Sequence, residues 1–560
     1  MKIITRAVDT SAETRLIEQG IAPLMARLLA ARGVQNAQEC DASLAKLLPP
    51  ETLTNAPEMG RILADAISAE KKLLIVGDYD ADGATATAVA MKGLQSMGAR
   101  VDFLVPNRFE YGYGLTPEIV ALAATSKPDF IITVDNGIAS VDGVSAANGL
   151  GIQVLITDHH LPAETTPDAA CIVNPNQRNC NFPSKNLAGV GVMFYVLLAL
   201  RAELRSRSAF AEKPEPNLTE LLDLVALGTV ADLVKLDANN RILVEQGLRR
   251  IRAGACSYGI LALLEVAGRN PQKATAQDLG FYVGPRLNAA GRLDDMTLGI
   301  QCLLTQTLES ARMLAQALHD LNAERRNIET DMHDSALANL GDVDVTNRYS
   351  ISLFEPGWHQ GVVGILASRL KEKYHRPTII FADAGEDLLK GSGRSVPGLH
   401  LRDALDLVSK RHSDLILKFG GHAMAAGLSI RQNDFARFAE AFEQVLSEWM
   451  TEEDLEAMME TDGRLDVKII GLEAAWMLAS SVWGQGFPQP LFCDDFVVVN
   501  QRIVGEKHTK LLLEKSGKRF DAIYFNFSDD LPQQVSVVYA LETNEYKGLQ
   551  SVQLLIKHVV

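Results

Sequence analysis

Cysteine is scarce in this chain. Its six thiols among 560 residues (Cys40, Cys171, Cys180, Cys256, Cys302 and Cys493) are too few for a disulfide scaffold. No two of them form a C-x-x-C pair, so the signature of a structural zinc ribbon is missing as well. Long hydrophobic runs are also missing. The longest, Leu187 to Leu200, has 14 residues, whereas a membrane-spanning helix needs about 20; it reads as a buried helix. The opening Met1-Lys-Ile-Ile-Thr-Arg-Ala-Val-Asp9 lacks the apolar core of a signal peptide, and a soluble, cytoplasmic protein with no membrane attachment is expected. Positive charge is in deficit: 54 Lys and Arg stand against 70 Asp and Glu, a formal net charge of −16. That balance argues against nonspecific coating of nucleic acid, but a net charge does not say where charges sit. No internal repeat and no low-complexity segment is present.

What is there is globular material, 47 % apolar and 22 % charged. At roughly 100–200 residues per domain, the length predicts about three to five domains. Residues 1–50 read as a helical lead-in ending at Pro49-Pro50. From Lys71 short apolar runs alternate with helical stretches: Leu73–Val76, Val101–Val105, Phe130–Val134 and Val154–Thr157. Such runs predict a parallel sheet covered on both faces, with chemistry gathered at the carboxyl ends of its strands. Residues 187–340 are mostly helical by period, closing with a charged stretch, Thr307 to Leu340, suited to bridging domains. A second α/β texture occupies 341–450, with Ile351–Phe354 and Thr378–Phe381 as strands. In 451–560 the acidic segment Thr451–Asp462 reads as a linker or surface helix. Five strands follow it, compatible with a small β-barrel.

The most informative segment is Val76-Gly-Asp-Tyr-Asp-Ala-Asp-Gly83, where Asp78, Asp80 and Asp82 crowd together just after an apolar strand. No Lys or Arg occurs from Leu73 through Met91. Like charges this close raise one another's pKa unless a cation is present, and hard divalent metals prefer carboxylate oxygens. One such loop alone is as well explained by a solvated acidic turn. The pattern recurs at two more strand ends, with Asp135 before a glycine turn and Asp158-His159-His160 after Val154–Thr157. Asp232, after an apolar helical segment, is a fourth candidate. Carboxylates with one or two imidazoles suit a pair of Mg²⁺ or Mn²⁺ ions about 3.5–4 Å apart; zinc fits less well without thiolates.

Asp78-Tyr-Asp-Ala-Asp-Gly, Asp135-Asn-Gly and Asp158-His-His together resemble the DHH phosphoesterase superfamily. With Gly284-Pro-Arg-Leu-Asn-Ala-Ala-Gly-Arg-Leu293, Gly357-Trp-His-Gln-Gly-Val-Val-Gly364 and Gly420-Gly-His422, the ordered set resembles the bacterial RecJ exonuclease family over about residues 70–430. The resemblance implies a DHH parallel-sheet catalytic domain over 51–340, including the helical middle, and a second α/β, DHHA1-type domain over 341–450. It implies an OB-fold-like nucleic-acid-binding domain over 451–560. The implied activity is metal-dependent 5′→3′ hydrolysis of single-stranded DNA to mononucleotides in recombination and repair. The alternative is a DHH phosphoesterase of short oligonucleotides or small nucleotides; a third class is a non-catalytic DNA-binding scaffold of the same superfamily.

By the same resemblance Asp80, Asp82, Asp135, His159 and Asp232 ligate metal, with Asp82 or Asp135 bridging. Asp78 is either a direct ligand or a supporting group, and so is His160, the candidate for contact with the scissile phosphate. Attack is by metal-activated water in line, with no covalent enzyme intermediate.

An exonuclease must also hold a strand and its end. Asn107-Arg-Phe-Glu-Tyr-Gly-Tyr-Gly114 offers Arg108 for phosphate and Tyr111 for stacking. In Gly391-Ser-Gly-Arg-Ser395 small residues permit close backbone approach and Arg394 adds charge. The resemblance assigns Arg108, Ser392 and Arg394 to a 5′-phosphate pocket, and places Arg286, Asn288 and His422 along the strand. Without it, Gly420-Gly-His422 reads equally as a helix-start turn, and Trp358 and His359 as core or cleft residues. In the barrel region Lys507, His508, Lys510, Lys515, Lys518 and Arg519, interleaved with Phe520 and Tyr524, suggest either a strand-binding groove or a solvated basic face. Single-strand-binding protein and a recombination helicase are the partners the resemblance implies.

Overall fold

The computed structural model describes residues 1–107, 111, 114–340, 347–505, 507–546 and 548–560. It divides into two compact units, 1–4 with 320–459, and 5–319 with 460–560. The helix Leu308–Leu340 runs through the boundary between them, as its charged, uninterrupted sequence predicts.

In the larger unit five parallel strands stand in the spatial order Arg100–Leu104, Lys72–Gly77, Phe130–Val134, Gln153–Thr157, Cys171–Val173. The runs Lys72–Gly77, Phe130–Val134 and Gln153–Thr157 are buried on both faces along most of their length, the hallmark of a sheet covered by helices on each side, while the edge strand Arg100–Leu104 is partly exposed. Alternate residues Leu74, Val76, Ile131, Val154 and Ile156 pack against the helices Pro117–Ala124 and Val141–Gly149. The opposite face meets Ala81–Ser96 and Gly189–Ser206. The 14-residue apolar run is thus a buried helix, as expected. The chain leaves the strand Lys72–Gly77 toward one edge and returns on its other side at Phe130, which opens a crevice at the carboxyl ends of these two strands. Among the described residues no helix is long and apolar enough to cross a membrane.

The same unit carries a closed barrel of five strands in the order Phe492–Val504, His508–Lys515, Lys518–Tyr524, Leu549–Val559, Gln534–Tyr546. Part of the basic stretch in this region is paired with carboxylates. Lys515 reaches the buried Asp494 at 2.6 Å, Arg519 pairs with Glu514, and Phe520 lies in the core. Asp494 also accepts from the Tyr539 hydroxyl at 2.8 Å and the Leu465 N–H at 3.1 Å. Tyr539→Phe, which removes one donor to a buried carboxylate, is expected to cost about 2 kcal/mol, read as a lower denaturant midpoint at unchanged slope.

The smaller unit has a mixed sheet in the order Lys418–Gly421, Ala425–Arg431, Leu388–Arg394, Thr378–Asp383, Ile351–Phe354, of which the last two strands are parallel. Gly391–Arg394 lies in the middle strand of this sheet, and its glycines admit neighbours: a Cβ at Gly391 would lie 2.5 Å from the Phe381 ring. Gly420-Gly421-His422 turns a hairpin, with the His422 N–H bonded to the Ala425 carbonyl, and does not start a helix. Thr451–Asp462 is neither linker nor surface helix throughout, since Met458–Thr461 pairs as a strand with Lys2–Thr5.

Candidate metal centre

The crevice of the parallel sheet collects the acidic strand ends. Asp78 follows the strand Lys72–Gly77 and is buried, its carboxylate accepting from the Tyr79 N–H at 2.7 Å. Asp80 caps the helix Ala81–Ser96 by accepting from the N–H groups of Asp82 (2.9 Å) and Gly83 (3.0 Å). Asp82 is buried at the first turn of that helix. Its two oxygens accept from Gly189 (2.6 Å) and Val190 (2.9 Å), the leading N–H groups of the helix Gly189–Ser206. A helix N-terminus thus holds this carboxylate.

Asp135 ends the strand Phe130–Val134 in a left-handed backbone conformation, φ +62°. Such strain in a non-glycine residue concentrates at functional sites. Glycine is required opposite: a Cβ at Gly189 would lie 2.5 Å from the Asp135 Cβ. Asp232 ends the helix Leu222–Ala231. His159 Nε2 stands 3.1 Å from Asp135 Oδ1 and 3.5 Å from Asp232 Oδ2.

Among the described residues three groups have ligand atoms mutually within 4.8 Å: Asp78, Asp80 and Asp135; Asp135, His159 and His160; and Asp82, His159 and Asp232. Asp135 and His159 each belong to two of them. Burial, and then the charge of Asp80, pushes the Asp82 carboxyl up to about 7 against the bonds from Val190 and Gly189. Burial, followed by Asp82 and Asp80, raises Asp135 and Asp232 well above the ordinary carboxylate range. Asp135 Oδ1 is buried and accepts no hydrogen bond among the described residues. Hard oxygen donors, imidazole nitrogen, uncompensated negative charge and an orphaned oxygen all fit a divalent cation.

Asp158 has a different task. Burial opposes its charge, but the hydrogen bond and charge of His160 prevail, and its pKa falls below the ordinary value. Its Oδ1 accepts from the backbone N–H groups of His159 and His160 at 2.7 and 3.0 Å, and stands 2.7 Å from His160 Nδ1. Its Oδ2 accepts from the Ile138 N–H at 2.9 Å. Burial works against a charged His160, yet the bond to Asp158 together with the charges of Asp158, Asp78 and Asp80 outweighs it and raises the imidazole to about 9.

Family models match the chain at residues 72–229 (DHH family, N-terminal domain), 346–448 (DHHA1 domain) and 461–558 (RecJ OB domain). The chain is 51 % identical over 98 % of its length, and 98 % of the relative's, to a protein of Dickeya dadantii named single-stranded-DNA-specific exonuclease RecJ. It belongs to the RecJ family. The fold agrees with a crystal structure of RecJ with Mn²⁺ from Thermus thermophilus. That match has a TM-score of 0.83 and 28 % identity, and covers 100 % of this chain and 79 % of that one. A second crystal structure of the same Thermus protein, with Mg²⁺, matches with a TM-score of 0.78 and 27 % identity, covering 100 % of this chain and 78 % of that one. The α/β class, the DHHA1-type second domain and the RecJ-type barrel are therefore as the sequence implied.

The structure brings all of the proposed RecJ metal and catalytic residues together: Asp78, Asp80, Asp82, Asp135, His159, His160 and Asp232. The strand-holding candidates are placed more variously. Arg108 lies outside the described residues. Tyr111 is half-buried against the apolar core around Leu115 and Ile119. Arg286 is 6 % exposed; its Nη1 donates to the Tyr282 carbonyl at 2.6 Å, and its Nη2 stands 3.1 Å from His319 Nδ1. Asn288 Oδ1 accepts from the Ala81 N–H at 2.7 Å, which ties the helix Gly284–Leu293 to the acidic loop. In the smaller unit Arg394 Nη1 donates to Ser392 Oγ (3.1 Å) and the Gly393 carbonyl (2.8 Å), with no carboxylate partner among the described residues. Burial lowers its pKa. His422 is exposed at the hairpin turn. Sequence reasoning passed over Asp158 as the group that holds His160, and the Gly189–Val190 amides that hold Asp82. The small residues at 188–191 were the only trace of the latter.

Proposed function

We propose that this chain hydrolyses single-stranded DNA from its 5′ end to mononucleotides, with divalent metal, in DNA recombination and repair. The observation that carries the reading is the overlap of three ligand clusters at the carboxyl ends of one parallel sheet. In this reading Asp78, Asp80, Asp82, Asp135, His159 and Asp232 would hold two Mg²⁺ or Mn²⁺ ions, with Asp135, which belongs to two clusters, the carboxylate best placed to serve both. When bound, such a pair supplies Lewis acidity, lowering the pKa of water at the site and offsetting charge on phosphate oxygens.

The chain's own groups do the rest. Gly189 and Val190 fix both oxygens of Asp82, so its orientation is set before substrate arrives. His160, charged through Asp158, donates to a phosphate oxygen of the scissile linkage and steadies its developing negative charge. Arg108, Ser392 and Arg394 receive the 5′-terminal phosphate, and for Arg394 the lack of a carboxylate partner among the described residues suits that role. Tyr111 and His422 line the strand, Asn288 sets the acidic loop, and Arg286 adds positive potential from beneath. Single-strand-binding protein and a helicase deliver the strand, and the setting is the cytoplasm.

The test offers 5′-labelled and 3′-labelled single strands with Mg²⁺ or Mn²⁺. Early release of the 5′ label as mononucleotide is expected, and EDTA stops it. Release from the 3′ end only, efficient digestion of blunt duplex, or a preference for dinucleotides over long strands would overturn the reading. The pocket has its own readout. Arg394→Ala is expected to cut the preference for 5′-phosphorylated over 5′-hydroxyl strands by about tenfold, the scale of one charge-assisted contact.

A further inference from the structure

Between the strand Cys171–Val173 and the helix Gly189–Ser206 the chain runs through residues 174–188 with no strand or helix of its own. Irregular stretches of about 15 residues inside a compact domain are uncommon and usually functional. The start of this one reaches the His159–His160 pair. Asn174, fully buried, donates through Nδ2 to the His160 carbonyl at 2.9 Å, and Asn176 Nδ2 donates to the His159 carbonyl at 2.6 Å. The Asn176 N–H bonds Asn174 Oδ1 at 2.7 Å, which ties the two amides together. Asp158 takes the N–H groups of both histidines. The backbone of His159 is thus held on both sides, its N–H by a carboxylate and its carbonyl by an amide.

The far end of the loop reaches the other two members of the Asp82–His159–Asp232 cluster. Gly189 and Val190, which follow it, present their N–H groups to Asp82. Ser184 Oγ and Asn186 Nδ2 donate to Asp237 Oδ2 at 2.7 and 3.0 Å. Asn240 Nδ2 joins the carbonyls of Asn186 (2.6 Å) and Lys235 (2.9 Å). Lys235 and Asp237 lie just after Asp232, in the turn between the helices Leu222–Ala231 and Ala238–Arg252. The two ends of the loop are cross-linked. Asn176 Nδ2 also donates to the Lys185 carbonyl at 3.2 Å, and Lys185 Nζ returns to the carbonyls of Pro175 (2.7 Å) and Cys180 (2.5 Å). The supports of His159, Asp82 and Asp232 therefore meet in one segment, and the Asn176 amide joins the first of them to the other two. Asp78 and Asp80 instead take bonds from N–H groups of their own loop and helix.

We propose that Asn176 is a positioning residue for one half of the metal centre: it fixes His159 against Asp82 and Asp232, and so sets cation affinity at that cluster without touching a cation. Groups that orient a metal-ligating imidazole act on affinity or activity by about 10–100-fold. The inference rests on the two-ion reading given above.

The experiment titrates Mn²⁺ alone into the full-length chain, followed by electron paramagnetic resonance, with strand cleavage measured in parallel. The unaltered chain is expected to bind in two steps. Asn176→Ala is expected to weaken one step by about tenfold or more and to leave the other within about twofold. Its kcat is expected to fall about tenfold at limiting Mn²⁺ with KM for the strand unchanged, and to recover at excess Mn²⁺, which a damaged fold would not do. Lys185→Met, which unties the loop without removing the His159 bond, gives a smaller shift of the same step. A metal-free readout separates the loop from the two-ion reading. In EDTA, with ¹³C at histidine Cε1, the His159 resonance is assigned by its loss in His159→Gln. It is expected to move in Asn176→Ala, while that of His508 in the barrel stays. A chain that takes up no Mn²⁺, or a single ion, sinks the two-ion reading, and the EDTA spectrum still judges the loop. An unmoved His159 resonance, or two binding steps that stay unchanged or weaken alike, overturns the proposal.

Discussion

Replacing Asp135 with asparagine is expected to lower kcat on single-stranded DNA by about 10³-fold, or ~4 kcal/mol of barrier, while raising the melting temperature of the metal-free chain. The two effects share one cause. Asp135 is buried and touches two of the three ligand clusters, and its Oδ1 has no hydrogen bond among the described residues. Burial first, then Asp82, Asp80, Asp232 and Asp78, hold its pKa well above the usual range. Asparagine keeps the shape and removes the charge, so repulsion falls while the group best placed to bridge two cations is lost. A site built for function and against stability behaves this way. The pH dependence has a definite sign. Asp82 titrates near 7 in the fold against 3.8 ordinarily, so between those values the folded chain binds more protons than the unfolded one. Its contribution to stability therefore falls as pH rises through that window. His160, raised from 6.5 to about 9, contributes stability below 6.5 that is lost as pH rises through 9. Melting in EDTA is expected to drop steadily from about pH 4 to 9, and Mn²⁺ to flatten that slope in the unaltered chain and less so in Asp135→Asn. A metal-free Asp135→Asn chain that melts lower, or one that keeps full activity, contradicts this account.

The acidic strand ends were legible because each is an apolar run that stops at a carboxylate, a pattern set by local sequence alone. Phe130–Val134 and Ile351–Phe354 are strands within their predicted bounds for the same reason. What stayed hidden depends on partners distant in the chain. Cys171–Val173 is too short to announce itself, and becomes a strand only by pairing beside Gln153–Thr157. Ser392 and Arg394 lie outside the strands read from the sequence and join the sheet only through strands on both sides, and a Cβ on Gly364 would lie 2.9 Å from Ser392 Oγ. Arg286 reads as a surface arginine, yet the Tyr282 carbonyl and His319 give its buried guanidinium its bonds. Lys515 belongs to a basic stretch in sequence and to a buried ion pair in space. Asp158 was visible as one more acid, but its task is set by three backbone N–H groups that converge only when the turn has formed.

That convergence makes Asp158 the second decisive residue. Asp158→Asn is expected to lower kcat/KM by about 10²-fold, the upper end for a group that orients its neighbour at a metal site. The unaltered carboxylate faces only donors: the N–H groups of Ile138, His159 and His160, and the His160 ring. An asparagine amide must turn its own N–H₂ toward one of these, which sets donor against donor and frees either the backbone turn or the imidazole. Loss of the negative charge also removes the main support for a protonated His160, whose burial alone would favour the neutral ring. The alkaline limb of the kcat/KM profile should therefore move to lower pH in Asp158→Asn, a shift that a purely structural defect would not produce. His160→Ala is expected to lose about as much activity, and the double variant no more than His160→Ala alone, because the two side chains act as one unit. Additive losses, or an unmoved alkaline limb, would show that Asp158 serves the turn and not the imidazole.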